Sequence, residues 1–186
     1  MILALLLSFP RNTVHAAFYD VAVCRSPWIC YVEAVTLRVG DPVPAFRATA
    51  HDGEIVELGA GELEQVLVLY FYPADETPGC TAEACSFRDE YSSFKEAGAR
   101  VVGVSPDSDD SHRSFAEHHR LPFPLLSDSD GKLTKIFGVK RTLGLLPGRV
   151  TFVIDRKGTV RHVFSSQLRA KKHIPEALSV VQKLAR

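Results

Sequence analysis

The stretch Val66-Leu-Val-Leu-Tyr-Phe-Tyr72, followed by Pro73-Ala-Asp-Glu-Thr77-Pro-Gly-Cys80, decides the fold of this chain. Seven consecutive apolar or aromatic residues, several of them β-branched, are typical of a central strand that is buried on both faces. Pro73 ends that strand. Thr77 is a suitable N-cap, and Pro78 suits the first helical position because its missing N–H would be unpaired there. The stretch therefore predicts a buried strand, a short loop and a helix with Cys80 at its third position.

The predicted helix, over residues 80–97, carries two cysteines. One face of it is marked by apolar residues at spacings of three and four: Cys80, Ala84, Phe87, Tyr91 and Phe94. A helix N-terminus favours the thiolate, which is the reactive form of Cys80. Cys85 lies five residues further on, which is about 140° around the helix and about 7.5 Å along it. Because disulfide Cα atoms usually lie within about 4.4–6.8 Å, joining the two thiols requires the first turns to unwind.

The remaining pattern alternates strands and helices. A hairpin is predicted from Ala45–Ala50 and Ile55–Leu58 around a His-Asp-Gly-Glu turn, and a second from Val150–Ile154 and Val160–Ser165 around Asp-Arg-Lys-Gly. Between and after them we predict a strand at 101–105, a helix at 109–120, a short strand at 125–126, helices at 130–137 and 173–184, and a loop at 138–148, with Gly98 as a helix stop. This order predicts an α/β, thioredoxin-like fold in which a mixed central sheet is flanked by helices, with an N-terminal β-hairpin.

The motif around Cys80 resembles the peroxiredoxins of the AhpC/TSA family. The likeness rests on Pro73-Ala-Asp-Glu-Thr77-Pro-Gly-Cys80, on Cys85, and on Arg149 in Gly-Arg-Val-Thr-Phe-Val-Ile-Asp155. It covers residues 38–186 and is nearest to the peroxiredoxin Q, or bacterioferritin comigratory protein, group. The wording PADETPGCT is similar to the plant chloroplast members.

The resemblance implies a role for each of these residues. Cys80 matches the peroxidatic cysteine, which becomes a sulfenic acid. Thr77 matches the hydroxyl that holds the peroxide, Pro73 shields the pocket and Arg149 supports the thiolate. Cys85 matches the resolving cysteine, which forms an intramolecular disulfide. The implied partners are peroxides and thioredoxin or a similar dithiol reductant, with no cofactor and no metal, in a monomer.

Simpler interpretations of the same residues stay open. Taken alone, a cysteine near a helix start is a small buried hydrophobe, Thr77 is an N-cap and Pro73 marks a strand end. Arg149 would by default be a solvated arginine before a strand. A general dithiol–disulfide oxidoreductase would require a Cys-x-x-Cys motif, whereas four residues separate the two cysteines here. A redox sensor without rapid turnover remains an alternative to a peroxidase.

Composition limits the function classes. Lys plus Arg and Asp plus Glu number 22 each, so there is no basic footprint for nucleic acid or an anionic membrane. No apolar run approaches the ~20 residues that a membrane-spanning helix needs. The histidines His112, His118 and His119 lack a completed ligand set, and we interpret them as part of a solvated helix face.

The N-terminal part of the chain differs from the rest. We predict that residues 1–35 are a leader or targeting-like extension and that residues 36–186 are the thioredoxin-like domain. An apolar run at residues 2–9 is signal-like, although no Lys or Arg precedes it. The plant-like core implies a location in the chloroplast, with the thylakoid lumen as the finer assignment. Secretion and a cytoplasmic location are the alternatives. Cys24 and Cys30 form either part of the leader or a structural or regulatory pair.

Overall fold

The computed structural model describes residues 22–26, 29–32, 36–59, 62–141 and 147–185. The chain divides into two compact units, residues 1–33 and 34–186. In the first, β1 (Ala22–Ser26) pairs antiparallel with β2 (Ile29–Val32), and the register sets Cys24 opposite Cys30. This hairpin was not predicted from the sequence. The apolar run at residues 2–9 lies outside the described residues, and the assignment of residues 1–35 as a leader stays a prediction.

The second unit begins with the predicted hairpin and is built on a five-stranded sheet. The hairpin strands are β3 (Phe46–Thr49) and β4 (Ile55–Leu58). The sheet strands are β5 (Val66–Phe71), β6 (Ala99–Ser105), β7 (Leu125–Ser127), β8 (Val150–Ile154) and β9 (Val160–Ser165), in the spatial order β7-β6-β5-β8-β9. The β5–β6 and β6–β7 pairs are parallel, whereas β5–β8 and β8–β9 are antiparallel. This is the mixed central sheet that the sequence predicted.

Five α-helices and one 3₁₀ turn connect the strands within the described residues. They are α1 (Pro78–Asp89), α2 (Tyr91–Glu96), α3 (Asp109–His119), α4 (Lys132–Phe137) and α5 (His173–Leu184), with the 3₁₀ turn at Ala170–Lys172 just before α5. The predicted single helix over 80–97 is wrong in one respect. Glu90, with φ −97° and ψ 7°, separates α1 from α2. Gly98 has φ 73° and follows α2, as a helix stop should.

Strand β5 lies in the middle of the sheet, and its alternating side chains divide the core in two. Leu67, Leu69 and Phe71 join one cluster, with the β3–β4 hairpin and α4. Val68 and Tyr70 join the other, to which α1, α2, α3 and α5 contribute. Because side chains of a strand alternate between its faces, an unbroken apolar run is what a strand with a core on each side requires. The second cluster contains Cys80, so the sheet and helices together bury this thiol.

Candidate active site

Cys80 is the third residue of α1 and is 1% exposed. Thr77 occupies the N-cap with extended backbone angles, as predicted, and Pro78 is the first helical residue. The Thr77 hydroxyl makes no capping bond, however, and donates instead to the Ala74 carbonyl at 3.1 Å. No acidic residue lies in the first turn of α1, so the positive end of the helix dipole near the sulfur is not neutralised locally.

Arg149 contacts Cys80 directly. It lies just before β8, whose first residue, Val150, pairs with Phe71 at the end of β5. The guanidinium is buried, and its Nη2 donates to the Cys80 Sγ at 3.1 Å. The default interpretation of a solvated arginine is therefore wrong. A cation at this distance favours the anionic, nucleophilic form of a thiol.

The residue before Arg149 fixes the approach of this segment. A Cβ on Gly148 would lie 2.4 Å from the Lys140 carbonyl oxygen, which is a backbone atom. Only glycine fits there without a backbone shift, so Gly148 helps to place Arg149 against α1.

Glu83 is a buried partner of Arg149 that the sequence analysis missed. It follows Cys80 by three residues, so both lie on the same face of α1. Its carboxylate is fully buried and accepts a hydrogen bond from Arg149 Nη1. Burial raises the pKa of Glu83 to about 8, although the Arg149 charge and hydrogen bond oppose the rise. The i, i+3 spacing from Cys80 was the one signal in the sequence that could have drawn attention to it.

His173, at the start of α5, closes the site behind Glu83, with its Nδ1 3.5 Å from Glu83 Oε1. Its Nε2 lies 3.1 Å from the Ser166 carbonyl, which can only accept, so Nε2 carries the proton. Its Nδ1 then accepts from the Thr151 hydroxyl at 2.7 Å. Burial lowers the pKa of His173 to about 4, which keeps the imidazole neutral near pH 7.

The loop between β5 and α1 is anchored by a buried carboxylate. Asp75 accepts hydrogen bonds from the Tyr72 hydroxyl at 2.7 Å, from the Ser111 hydroxyl at 2.7 Å and from His112 Nδ1 at 2.8 Å. Burial alone would raise the pKa of Asp75, but these three hydrogen bonds outweigh it and hold the pKa below its usual range. Pro73, in the same loop, is half-buried.

His112 corrects the interpretation of α3 as a helix whose histidines are all solvated. It is completely buried, and its second nitrogen, Nε2, faces the Leu126 carbonyl at 3.2 Å. Both ring nitrogens therefore face oxygen acceptors. The Asp75–His112 pair ties the loop before Cys80 to α3.

Cys85 lies on the half-buried side of α1, and both it and Cys80 are free thiols. Helix α1 is continuous from Pro78 to Asp89, so the two cysteines are about 1.4 turns apart within regular helix, as predicted. Cys85 Sγ lies 4.0 Å from His119 Nδ1, at the end of α3. The structure thus brings Cys80 and Arg149 together and holds Cys85 away from them.

Among the described residues, one group of three His, Cys, Asp or Glu side chains has ligand atoms close enough for a metal ion: Glu76, His118 and His119.

No described helix is long and apolar enough to cross a membrane.

Comparison with known proteins identifies the family. The profile described as the AhpC/TSA family matches residues 39–163. The chain belongs to this family. It is 49% identical over 146 residues to chloroplastic peroxiredoxin Q of Triticum aestivum, which covers 78% of this chain and 67% of the relative. The resemblance to the peroxiredoxin Q group is confirmed.

Solved structures of AhpC/TSA relatives confirm the fold. The crystal structure of peroxidoxin BcpB from Mycobacterium tuberculosis has a TM-score of 0.73 and 40% identity, covering 80% of this chain and 98% of the other. The bacterioferritin comigratory protein of Xanthomonas campestris, described for its alkyl peroxide reduction activity, has a TM-score of 0.66 and 31% identity, covering 76% and 92%. The predicted thioredoxin-like architecture is therefore correct.

Proposed function

We propose that this protein is a thiol-dependent peroxidase that reduces hydrogen peroxide and organic hydroperoxides, with Cys80 as the peroxidatic thiol. The observation that carries this proposal is the buried Arg149 guanidinium, whose Nη2 donates to Cys80 Sγ at 3.1 Å at the start of α1. Membership of the AhpC/TSA family and the peroxiredoxin Q relatives support it. The activity described for the Xanthomonas campestris relative supports organic hydroperoxides as substrates.

In the first step the Cys80 thiolate attacks the terminal oxygen of the peroxide. The S–O bond forms as the O–O bond breaks, which gives the sulfenic acid and an alkoxide or hydroxide that takes up a proton. Arg149 stabilises charge as it passes from sulfur to the leaving oxygen. We assign Thr77 to holding the peroxide, which requires its hydroxyl to turn from the Ala74 carbonyl, and Pro73 to shielding the pocket.

Glu83 determines which group uses the positive charge of Arg149. With a pKa of about 8, Glu83 keeps its proton near pH 7. A protonated Glu83 accepts the hydrogen bond from Arg149 without neutralising the guanidinium charge. Burial of Glu83 thus leaves the charge of Arg149 available to the sulfur.

In the second step Cys85 attacks the Cys80 sulfenic acid, which forms the disulfide and releases water. Because α1 is regular between the two residues, its first turns must unwind before the sulfurs can meet. A dithiol reductant of the thioredoxin type then restores both thiols by exchange and becomes a disulfide itself.

We further propose that the protein acts as a monomer in the chloroplast, with the thylakoid lumen as its compartment there. The names of the plant relatives support the chloroplast. The large hydrophobic residues exposed in the described part of the chain lie in separate segments: Val39, Ile55, Leu168 and Leu184. This scatter supports a monomer, because an obligate interface needs a contiguous apolar patch.

The first experiment is a coupled assay with thioredoxin and its reductase, which distinguishes a peroxidase from a redox sensor. Sustained consumption of hydrogen peroxide supports the proposal, whereas a single oxidation without turnover supports the sensor. Mass analysis after one equivalent of peroxide identifies the linked peptides. A Cys80–Cys85 linkage is expected, and a linkage to Cys24 or Cys30 would assign the resolving role elsewhere.

A further inference from the structure

Two adjacent histidines and one glutamate converge at the end of α3. Glu76 Oε1 lies 3.1 Å from His118 Nδ1, and Glu76 Oε2 lies 3.0 Å from His119 Nε2. The two imidazole rings stack with centroids 4.4 Å apart. The three ligand atoms lie within 4.8 Å of one another.

We propose that Glu76, His118 and His119 form a binding site for a divalent transition-metal ion, with Zn²⁺ as the best match. Two imidazoles and one carboxylate are a donor set that zinc uses, with a fourth position left for water. In a tetrahedral zinc site, neighbouring ligand atoms lie about 3.4 Å apart, given bonds of about 2.0–2.2 Å. The two observed separations, 3.1 and 3.0 Å, run to different oxygens of the Glu76 carboxylate, and one ligand atom from each of the three residues lies within 4.8 Å of the others, so small side-chain rotations are enough to reach this geometry.

Backbone features at both elements help to position the three residues. Glu76 has φ 55° and Arg120, which ends α3 directly after His119, has φ 52°. Among the described residues, these are the only non-glycine residues with positive φ. In addition, Arg88 Nη1 donates to the His119 carbonyl at 2.7 Å, which joins α1 to the end of α3. A pre-positioned set of ligands lowers the entropy cost of binding.

The electrostatics of the site favour a cation. His118 and His119 lie in the last turn of α3, where the negative end of the helix dipole attracts positive charge. Glu76 and His118 are exposed, so an ion can enter from solvent.

The site is connected to both thiols. Glu76 directly precedes Thr77, the N-cap of α1, and His119 Nδ1 lies 4.0 Å from Cys85 Sγ. Bound metal would fasten the loop before Cys80 to α3. If the proposed peroxidase cycle holds, metal occupancy therefore slows formation of the Cys80–Cys85 disulfide, because the first turns of α1 unwind less easily.

The binding test is calorimetric titration of zinc chloride into the full chain with its four cysteines replaced by serine, which removes the thiols that would compete for zinc. One ion per chain should bind. Loss of a second-shell group typically weakens metal binding by about 10–100-fold, so loss of a ligand in His118→Gln should weaken it at least tenfold. His162→Gln is the matched control, because His162 lies 3.6 Å from one carboxylate, that of Glu176. It should leave the affinity unchanged.

Absence of saturable binding, or an equal loss in His118→Gln and His162→Gln, would overturn the site. If the cysteine-free chain does not fold by circular dichroism, Co²⁺ absorption of the reduced wild-type chain replaces the titration. A band from nitrogen and oxygen ligands that His118→Gln removes supports the site, and thiolate charge-transfer bands alone overturn it.

The effect on the thiols is tested separately by rapid quenching after peroxide addition, with and without zinc. In the wild-type chain, the Cys80–Cys85 disulfide should form more slowly with zinc than without it, so the ratio of the two rates should be below one. In His118→Gln this ratio should return toward one. Equal slowing in both overturns the connection to the thiols but leaves the binding result intact. Failure of the chain to form any sulfenic acid would instead reject the peroxidase proposal.

Discussion

The Glu83→Gln variant should keep the stability that the wild-type chain loses as the pH rises. Burial raises the pKa of Glu83 from 4.5 to about 8 in the folded chain. Between these values the folded state keeps a proton that the unfolded chain has already released. The unfolded state then binds fewer protons, so the free energy of unfolding falls with increasing pH.

The size of this effect follows from the same two pKa values. The rise from 4.5 to about 8 corresponds to about 5 kcal/mol over the full window, at about 1.36 kcal/mol per pKa unit. Most of that, about 4 kcal/mol, falls between pH 5 and pH 9. Because the Glu83 side chain is fully buried, solvent does not screen the effect. Glutamine has no proton to release, so the variant should lack this slope.

The assay is urea unfolding followed by far-ultraviolet circular dichroism between pH 5 and pH 9. Both proteins should carry Cys80→Ser, so that titration of this thiol does not enter the comparison. The variant should gain about 4 kcal/mol relative to its parent by pH 9. An exposed carboxylate on α3 provides the control, since Glu117→Gln should show no such gain. If the difference in the free energy of unfolding between Glu83→Gln and its parent stayed constant from pH 5 to pH 9, Glu83 would not be a buried, protonated carboxyl.

Three further predictions concern the surroundings of the site. His173 has a folded pKa of about 4, so the wild-type chain should lose about 3 kcal/mol as the pH falls from 6.5 to 4, and His173→Gln should lose less, as measured by urea unfolding. His112→Leu leaves Asp75 buried beside an apolar group and should cost about 3–5 kcal/mol at pH 7, a penalty that shrinks in acid as the carboxyl is protonated. Gly148→Ala should cost about 1–3 kcal/mol through backbone overlap and should slow sulfenic acid formation, measured by rapid quenching, because it displaces Arg149.

An exposed ion pair provides the contrast for the buried Asp75–His112 pair. Asp110 pairs with Arg113 on the surface of α3, with side chains 91% and 58% exposed. Such pairs contribute at most about 1 kcal/mol, so Asp110→Asn should have little effect. If it cost as much as His112→Leu, burial would not be the reason for the larger effect.

Local signals were sufficient to predict most of the fold. The apolar run at 66–72 predicted β5, and its burial on both faces follows from a core on each side of the sheet. The two turn signals predicted both hairpins of the second unit, and apolar spacing predicted α5 at residues 173–184. The break at Glu90 was not predictable in this way, because the apolar spacing continues across it into α2.

Sequence-distant pairings explain what was missed at the site. Glu83 is buried because Arg149 lies against it, although 66 residues separate them. His112 is buried in a polar helix because it pairs with Asp75, 37 residues earlier. Nothing within either segment reveals such a partner, so a charged residue alone is predicted to be solvated. Arg149 could be assigned in advance only through the family resemblance.

Burial of Arg149 makes Glu83 and Cys80 share one cation. A guanidinium removed from water needs an anionic partner, and two acidic groups, Glu83 and Cys80, compete for it. If Glu83 were ionised at neutral pH, the ion pair would be complete and the thiolate would gain less from the same cation. Because burial raises the pKa of Glu83 to about 8, the carboxyl is largely protonated at neutral pH and neutralises the guanidinium less than an ionised carboxylate would. We therefore propose that the free energy the fold loses by burying Glu83 is what leaves the charge of Arg149 available to the sulfur, 3.1 Å from its Nη2.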